Sequence, residues 1–257
     1  MTGIILKDDA RYDHTEAFLK SRGYFFRGIE TPPREINFVI FPFKEKPDEN
    51  IFCEKYFSAL EKNTKIFSGV RNNFLSEKCK KFGLEYFVMT EDVGVAAKNA
   101  VPTSEGVIAY VIYNLPRTLA GARILVVGYG VCGRDLAARF GALDAKVFAL
   151  VRSREKKCLA QADSVTPIFS HEYALENFDA IINTVPAQII SHEMISRAGG
   201  ALMVDIASAP FGFDLEFAKK QNIRSALLAA IPGKHAVQTA GEILGEYADF
   251  ILRGSLT

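Results

Sequence analysis

The sequence predicts an α/β fold in which a doubly wound parallel sheet follows a smaller N-terminal α/β domain. Short apolar segments alternate with helical segments along the chain, and a glycine-rich turn after residue 127 joins a strand to a helix. The composition also changes near residue 100, because 12 of the 20 Phe precede that point and 13 of the 19 Gly follow it. We therefore expect two domains, 1–100 and 101–237.

The composition is that of an ordinary globular protein. Of 257 residues, 49% are hydrophobic and 24% are charged, and the formal net charge is +1. This balance gives no reason to expect a nucleic-acid or membrane-surface partner, and no apolar run approaches the roughly 20 residues of a membrane span. The four cysteines are widely spaced and form no zinc or disulfide pattern. We expect a cytoplasmic protein with reduced thiols and no metal site.

The smaller domain is predicted from four short apolar strands with charged helices between them. A parallel α/β layer follows from this alternation. The strands are predicted at 3–6, 37–41, 65–67 and 85–88, and the helices at 14–22, 54–61 and 75–82.

A connector helix is predicted over 103–116 and a returning C-terminal helix over 238–252. Pro102 precedes the connector and Thr103 or Ser104 can cap it. The last segment is apolar at four-residue spacing, so we expect it to pack back on the smaller domain, with a cleft between the domains. Between the two helices, strands are predicted at 123–127, 146–150, 180–183, 202–205 and 224–228.

The glycine-rich turn has the G-x-G-x-x-G spacing of a Rossmann dinucleotide site. Gly128 permits a tight turn, Gly130 lets the backbone approach a pyrophosphate, and Gly133 lets the helix pack on the strand. Tyr129, Val131 and Cys132 belong to the same turn, and we interpret Cys132 as a packing residue rather than a nucleophile. The alternative is a tight turn that holds no ligand.

The end of the following strand indicates NADP rather than NAD. An NAD site usually has an acid at this position, whereas here Arg152, Ser153 and Arg154 come before the first acid, Glu155. Two guanidinium groups and a hydroxyl suit a 2′-phosphate. The alternative is that the arginines only begin a solvated helix.

Two later strand ends should lie at the same edge of the sheet. We expect Thr184, Val185 and Pro186 after one strand and Ala207 and Ser208 after the next to contact the cofactor. For Asp205 two roles stay open, ligand contact or hydrogen bonding to loop amides. Lys234 and His235 precede the last helix and could hold a carboxylate or move a proton, although an ordinary loop is the alternative.

Together, these motifs resemble the A-subunit family of dipicolinate synthase, over nearly the whole chain. The segments that carry the resemblance are Asp9-Ala10-Arg11, Phe67-Ser68-Gly69, Asn99, Pro102-Thr103, Glu105-Gly106, the glycine motif, Asn183-Thr184 with Pro186, Asp205 with Ala207-Ser208, Pro232-Gly233 and Thr239-Ala240-Gly241. The chain departs from the family pattern at Leu228-Ala229-Ala230, at His235 and at Lys7-Asp8.

The resemblance implies an NADP-dependent enzyme that works with a flavoprotein-like B subunit, and we also expect a homo-oligomer. The implied reaction is oxidation of dihydrodipicolinate, or its hydroxytetrahydro precursor, to dipicolinate. This reaction would branch from the lysine/diaminopimelate pathway during sporulation, in the mother cell of a spore-forming bacterium. Such an oxidation needs a nicotinamide held over the substrate and little covalent help from the protein.

The dicarboxylate substrate should meet cations and hydroxyls, and Arg11, Arg71, Ser68 and Thr103 are the candidates. Glu105 is either an acid/base or a support of the first turn of the connector helix.

Two rival functions remain. One is another NADP-dependent dehydrogenase, of the hydroxyacid or shikimate type, and the other is a non-catalytic scaffold protein for a flavoprotein.

Overall fold

The chain folds into two compact units, Met1–Asn99 together with Pro232–Thr257, and Ala100–Ile231. The computed structural model describes residues 1–43, 47–169 and 175–254. Within these residues both sheets are entirely parallel, so the predicted fold class is confirmed. The same residues contain no helix able to span a membrane.

The sheet of the first unit has the strand order β2-β1-β3-β4-β5. Its strands are β1 (Thr2–Ile5), β2 (Phe25–Phe26), β3 (Phe38–Phe41), β4 (Lys65–Ser68) and β5 (Glu85–Val88). The helices between them are α1 (Arg11–Ser21), α2 (Glu54–Ala59) and α3 (Asn73–Phe82). The β2 strand was not predicted, because it has only two residues and no alternation to detect.

Aromatic side chains fill the first unit on both faces of its sheet. Phe41 and Phe52 join Tyr56 and Phe57 of α2 in a chain of ring contacts, with centroids 4.8–6.0 Å apart. On the other face Phe38 meets Tyr24 edge-on at 5.7 Å. Apart from the exposed Phe25, the phenylalanines before residue 100 therefore lie in this core or pack against it.

Helix α4 (Val93–Asn114) corrects the predicted connector. It begins ten residues before the expected start at 103, where Asp92 Oδ1 accepts a hydrogen bond from the Val95 N–H at 2.9 Å. Pro102 lies inside the helix instead of preceding it. Proline removes one backbone hydrogen bond, but a helix of 22 residues keeps the others. Thr103 and Ser104 are therefore helix-interior residues and not caps.

The sheet of the second unit has the strand order β11-β10-β9-β6-β7-β8, which is the doubly wound dinucleotide-binding order. Its strands are β6 (Arg123–Val127), β7 (Lys146–Val151), β8 (Thr166–Phe169), β9 (Ala180–Asn183), β10 (Leu202–Asp205) and β11 (Ser225–Leu227). The helices between these strands are α5 (Val131–Ala142), α6 (Arg154–Ala162), α7 (His192–Ser196) and α8 (Leu215–Lys220). The β8 strand was missed, since it is an edge strand that contains a proline.

The chain ends with α9 (Ile231–His235) and α10 (Val237–Arg253). The short helix α9 forms where an ordinary loop is one of the sequence-based interpretations. Residues from Pro232 onward group with the first unit, although the sequence predicts that the second domain extends to residue 237. Helix α10 packs closely on α1, because a Cβ on Gly241 would lie only 2.3 Å from the Arg11 carbonyl oxygen. The Thr15 hydroxyl also donates to the Gly241 carbonyl at 2.9 Å.

This packing predicts a graded response at two glycines of α10. A Cβ at Gly241 would strike the backbone of α1, whereas one at Gly245 would meet the Phe18 side chain, 2.7 Å away at its nearest atom, which can shift. We expect Gly241→Ala to lower the free energy of unfolding by about 1–3 kcal/mol. For Gly245→Ala, the gain of about 0.5–1 kcal/mol from alanine in a helix offsets part of the strain. Urea unfolding followed by circular dichroism measures both, and equal losses would contradict this packing.

Candidate functional site

A cavity of about 660 Å³ lies at the carboxyl ends of β6, β7 and β9. Strand β6 has β7 on one side and β9 on the other, so the cavity lies where the strand order reverses. This is the position at which doubly wound sheets bind ligands, and the volume suits a cofactor. Its lining consists of Gly128, Tyr129, Gly130, Leu150, Val151, Arg152, Lys156, Thr184, Val185, Pro186, Ala187 and Ile189.

The three motif glycines are required for three different reasons. Gly128 has φ +92°, and a Cβ there would lie 2.5 Å from Val185 Cγ2. A Cβ on Gly133 would lie 2.2 Å from the Gly128 carbonyl oxygen, so only glycine lets α5 approach β6 this closely. Around Gly130 no described residue other than its chain neighbours lies within 4 Å of a Cβ position. The backbone at Gly130 is thus open to a ligand.

Helix α5 begins at this open glycine. Gly130 is the N-cap, and no side chain of the described residues hydrogen-bonds to the cap. The first turn therefore presents backbone N–H groups and the positive end of the helix dipole. Such a terminus suits a pyrophosphate group.

The side chain of Tyr129 fixes the glycine turn to Asp163. Its buried hydroxyl donates to Asp163 Oδ2 at 2.9 Å, and Arg134 pairs with the same carboxylate through Nε and Nη2 at 2.6 and 2.8 Å. Burial, together with the neighbouring carboxylate, raises the pKa of Tyr129. Hydrogen bonds from Arg134 and Tyr129 lower the pKa of Asp163. The tyrosine side chain therefore ties the start of α5 to the end of α6.

Val131 and Cys132 form the first turn of α5 but do not line the cavity. Val131 is exposed and Cys132 is half-buried. Burial and the nearby Asp135 raise the pKa of the Cys132 thiol, so it stays protonated at neutral pH. This agrees with a packing role.

The cations at the end of β7 border the cavity. Arg152 and Lys156 both line it. Within the described residues Arg152 and Arg154 make no ion pair, and Ser153 caps α6 by accepting a hydrogen bond from the Lys156 N–H at 3.2 Å. The first acid, Glu155, lies 3.4 Å from the Lys156 ammonium. Lys156 was not predicted, but its place one turn after the Ser153 cap could have indicated it.

Thr184 and Val185 form the opposite wall. The Thr184 hydroxyl donates to the Val127 carbonyl at 2.9 Å, at the end of β6, and Val185 faces Gly128. Pro186 is exposed at the mouth of the cavity.

Ala207 and Ser208 follow β10 at the same sheet edge but are not among the cavity-lining residues. Asp205 is fully buried and accepts hydrogen bonds from the N–H groups of Ala207 and Gly212, at 2.9 and 2.7 Å. Of its two predicted roles, hydrogen bonding to loop amides is the one observed.

In the first unit, Arg11 is held on three sides and its side chain is only 11% exposed. Its Nε donates to both oxygens of Asp9, at 3.0 and 3.1 Å, and Nη2 also contacts that carboxylate. The guanidinium lies over the Phe43 ring, 4.0 Å from the centroid. Gly233 packs against it, since a Cβ there would lie 2.8 Å from Nε.

Of the other candidates in the first unit, Ser68 and Arg71 also have partners. Ser68 is buried, and its hydroxyl donates to the Val70 carbonyl and accepts from the Tyr86 hydroxyl, each at 2.6 Å. Arg71 is exposed and pairs with Glu91 through Nε at 2.8 Å and through Nη2. Lys234 and His235 are exposed on the short helix α9.

Thr103 and Glu105 both lie in the interior of α4. Glu105 is exposed and lies 3.4 Å from Arg139 Nη1. A role in the first helical turn is therefore wrong for Glu105, because the helix begins at Val93.

A match to a protein family identifies the class of domain to which the second unit belongs. Residues 109–207 match the family described as D-isomer specific 2-hydroxyacid dehydrogenase, NAD binding domain. The second unit is thus a nicotinamide-dinucleotide-binding domain, and the chain is an oxidoreductase component of the dehydrogenase type.

One relative and two crystal structures, from two Bacillus species, show a narrower similarity. The dipicolinate synthase A subunit of Bacillus subtilis is 27% identical over 237 residues, which cover 87% of this chain and 80% of that protein. A crystal structure of the same B. subtilis enzyme component has a TM-score of 0.90 at 25% identity and covers 98% of this chain and 96% of that one. The crystal structure from Bacillus halodurans has the same TM-score at 24% identity, with 98% of both chains covered. The resemblance to the dipicolinate synthase A subunit is confirmed.

The open backbone at Gly130 predicts a variant that folds but binds dinucleotides poorly. In Gly130→Ala the methyl group occupies free space, so we expect an unchanged melting temperature. We also expect the Kd for NADPH, measured by fluorescence titration, to rise about tenfold or more, because the pyrophosphate loses its close approach. Gly141→Ala, an open glycine near the other end of α5, is the matched control and should bind normally. Normal binding by Gly130→Ala would contradict the assignment.

Proposed function

We propose that this chain is the NADP-dependent A subunit of a dipicolinate synthase, which oxidises dihydrodipicolinate, or its hydroxytetrahydro precursor, to dipicolinate. The observation that carries the proposal is the dinucleotide cavity whose β7 border holds Arg152 and Lys156 and no acid at the strand end. Its context supports the reaction, since 87% of the chain aligns with the A subunit of a dipicolinate synthase.

The cofactor choice follows from charge. A carboxylate at the end of β7 would bind ribose hydroxyls and repel a 2′-phosphate. Here Arg152 lines the cavity without an ion-pair partner in the described part of the chain, and Lys156 joins it. We assign the 2′-phosphate to Arg152 and Lys156, with Ser153 and Arg154 beside them.

In the proposed oxidation the main contribution of the protein is to orient the dinucleotide and the substrate. Converting a dihydropyridine ring to a pyridine removes one hydride and one proton, and starting from the hydroxytetrahydro precursor also releases one water. A bound nicotinamide would supply the hydride acceptor. The chain holds the dinucleotide through the amides after Gly130 and the wall at Thr184 and Val185, with Ala207 and Ser208 near the nicotinamide half.

We assign the substrate carboxylates to Arg11 and Arg71, and further hydrogen bonds to the substrate to Ser68 and Thr103. Arg11 is the stronger of the two arginines, because Asp9 and Phe43 already fix its guanidinium and binding loses little side-chain entropy. The proton goes to Glu105, Lys234 or His235, each of which is exposed and carries a titratable group.

The proposed setting is the mother cell of a spore-forming bacterium. There the chain would form a homo-oligomer and have a flavoprotein-like B subunit for a partner. The substrate would come from the lysine/diaminopimelate pathway, which makes the reaction a biosynthetic branch.

Reversing one charge at the cavity tests the cofactor assignment. We expect Arg152→Asp to raise the Kd for NADPH at least tenfold more than the Kd for NADH, because the new carboxylate repels the 2′-phosphate. Isothermal titration measures both values. Arg197→Asp carries the same charge change at the end of α7, where Arg197 pairs with Glu193, and should alter neither Kd. Equal effects of Arg152→Asp on both cofactors would overturn the 2′-phosphate assignment.

A direct assay tests the reaction. The purified chain, alone and with a B-subunit homologue, is mixed with NADP⁺ and freshly generated dihydrodipicolinate, and dipicolinate is quantified by its ultraviolet absorbance. We expect dipicolinate and NADPH in equal amounts. Cofactor binding without dipicolinate under both conditions would contradict the proposal and favour a scaffold role, and NADP-linked oxidation of a hydroxyacid or shikimate instead would favour the rival dehydrogenases.

A further inference from the structure

A fully buried polar pair lies directly behind the cavity wall. Asn183 ends β9, Asp205 ends β10, and both side chains are 0% exposed. The Asn183 amide donates through Nδ2 to Asp205 Oδ1 at 2.9 Å. Because the carboxylate can only accept, it fixes which end of the Asn183 amide carries the donors.

The segment 184–189 forms this wall of the cavity, and Asn183 holds the start of that segment. Its Nδ2 donates to the Val185 carbonyl at 3.0 Å, and its Oδ1 accepts from the Val185 N–H at 3.2 Å. Both backbone polar groups of Val185 are thus engaged by one side chain. The Val185 side chain in turn packs against the Gly128 turn.

Asp205 holds the far end of the same segment through Gly212. The Gly212 N–H donates to Asp205 Oδ2 at 2.7 Å, and the Gly212 carbonyl accepts from the N–H groups of Ile189 and Ile190, at 3.2 and 3.0 Å. Gly212 lies flat against the asparagine, since a Cβ there would be 2.2 Å from Asn183 Cγ.

The segment held at both ends supplies five of the cavity-lining residues. They are Thr184, Val185, Pro186, Ala187 and Ile189. A loop fixed by buried hydrogen bonds is preorganised, so a ligand that packs against it loses little entropy in ordering it.

We propose that Asn183 and Asp205 are positioning residues that preset this wall of the cavity for the dinucleotide. The inference rests on the proposed function, because it takes the dinucleotide as the ligand of the cavity. It assigns neither residue a contact with the cofactor. Their effect reaches the ligand through Val185 and Ile189.

Two substitutions separate positioning from mere stability. In Asp205→Asn the shape stays but one of the two acceptor oxygens is replaced by a donor, which then faces a backbone N–H. We expect the Kd for NADP⁺ to rise about tenfold at every pH at which the chain remains folded, as judged by circular dichroism. Asp179→Asn is the matched control, because Asp179 accepts the Arg123 N–H at 2.7 Å at the opposite end of β9. The control should lose stability and keep its affinity.

Asn183→Asp adds a pH signature. Among the described residues the Asn183 side chain hydrogen-bonds to Asp205 and to the Val185 backbone, so Asp205 is the charged group that the new carboxyl meets. Two adjacent buried carboxyl groups retain a shared proton at low pH and repel each other once both are ionised. The protonated form restores the donor to Asp205, so the loss of affinity relative to wild type should grow as the pH rises from 5.5 to 8.5. NADP⁺ serves as the probe because its oxidised ring withstands acid.

The binding measurements distinguish failure of the cofactor proposal from failure of the positioning proposal. If wild type binds neither NADP⁺ nor NAD⁺, the cofactor proposal itself fails. If wild type binds but Asp205→Asn binds equally well and the affinity ratio for Asn183→Asp is constant with pH, the positioning proposal is overturned. A tenfold loss in Asp205→Asn but not in Asp179→Asn, together with the rising ratio, supports it.

Discussion

The close crossing of α5 over the end of β6 is the contact on which the second unit depends. A Cβ at Gly133 would lie 2.2 Å from the Gly128 carbonyl, so the helix can sit at this distance only with hydrogen at that position. The crossing aims the first turn of α5 at the cavity and leaves space above Gly130. Tyr129, Arg134 and Asp163 then fix the same turn to the end of α6. The positive end of the helix is thus presented without any capping side chain from the described residues.

The polar groups of the two units differ in whether they already have a hydrogen-bond or ion-pair partner. In the first unit the candidate substrate residues already have partners, Arg11 with Asp9, Arg71 with Glu91 and Ser68 with Tyr86. In the second, Arg152 has no ion-pair partner in the described chain, and the amides after Gly130 are uncapped. Open donors and a free cation suit an anionic ligand, whereas paired groups must exchange a partner or keep it and contribute shape. A ligand can thus bind the second unit without displacing a partner, whereas a ligand of the first unit must share or replace existing contacts.

Local sequence was sufficient wherever a short-range rule decides the structure. The apolar runs of β6, β7, β9 and β10 and the glycine spacing predicted the dinucleotide fold, because each depends on neighbouring residues. The start of α4 was mispredicted, since Pro102 resembles a boundary while Asp92, ten residues earlier, is the actual cap. Contacts between segments that lie far apart in the sequence could not be predicted. No local pattern pairs Ser68 with Tyr86 or Asn183 with Asp205, and Lys156 reaches the cavity only because α6 begins at its edge.

The most direct test of this account is a crystal structure of the protein grown with NADP⁺. We expect the pyrophosphate within hydrogen-bonding distance of the backbone N–H groups that follow Gly130, and the 2′-phosphate against Arg152 and Lys156. The segment from Thr184 to Ile189 should keep its hydrogen bonds to Asn183 and Gly212. A dinucleotide bound elsewhere, or one whose 2′-phosphate faces solvent away from both cations, would contradict the central claim.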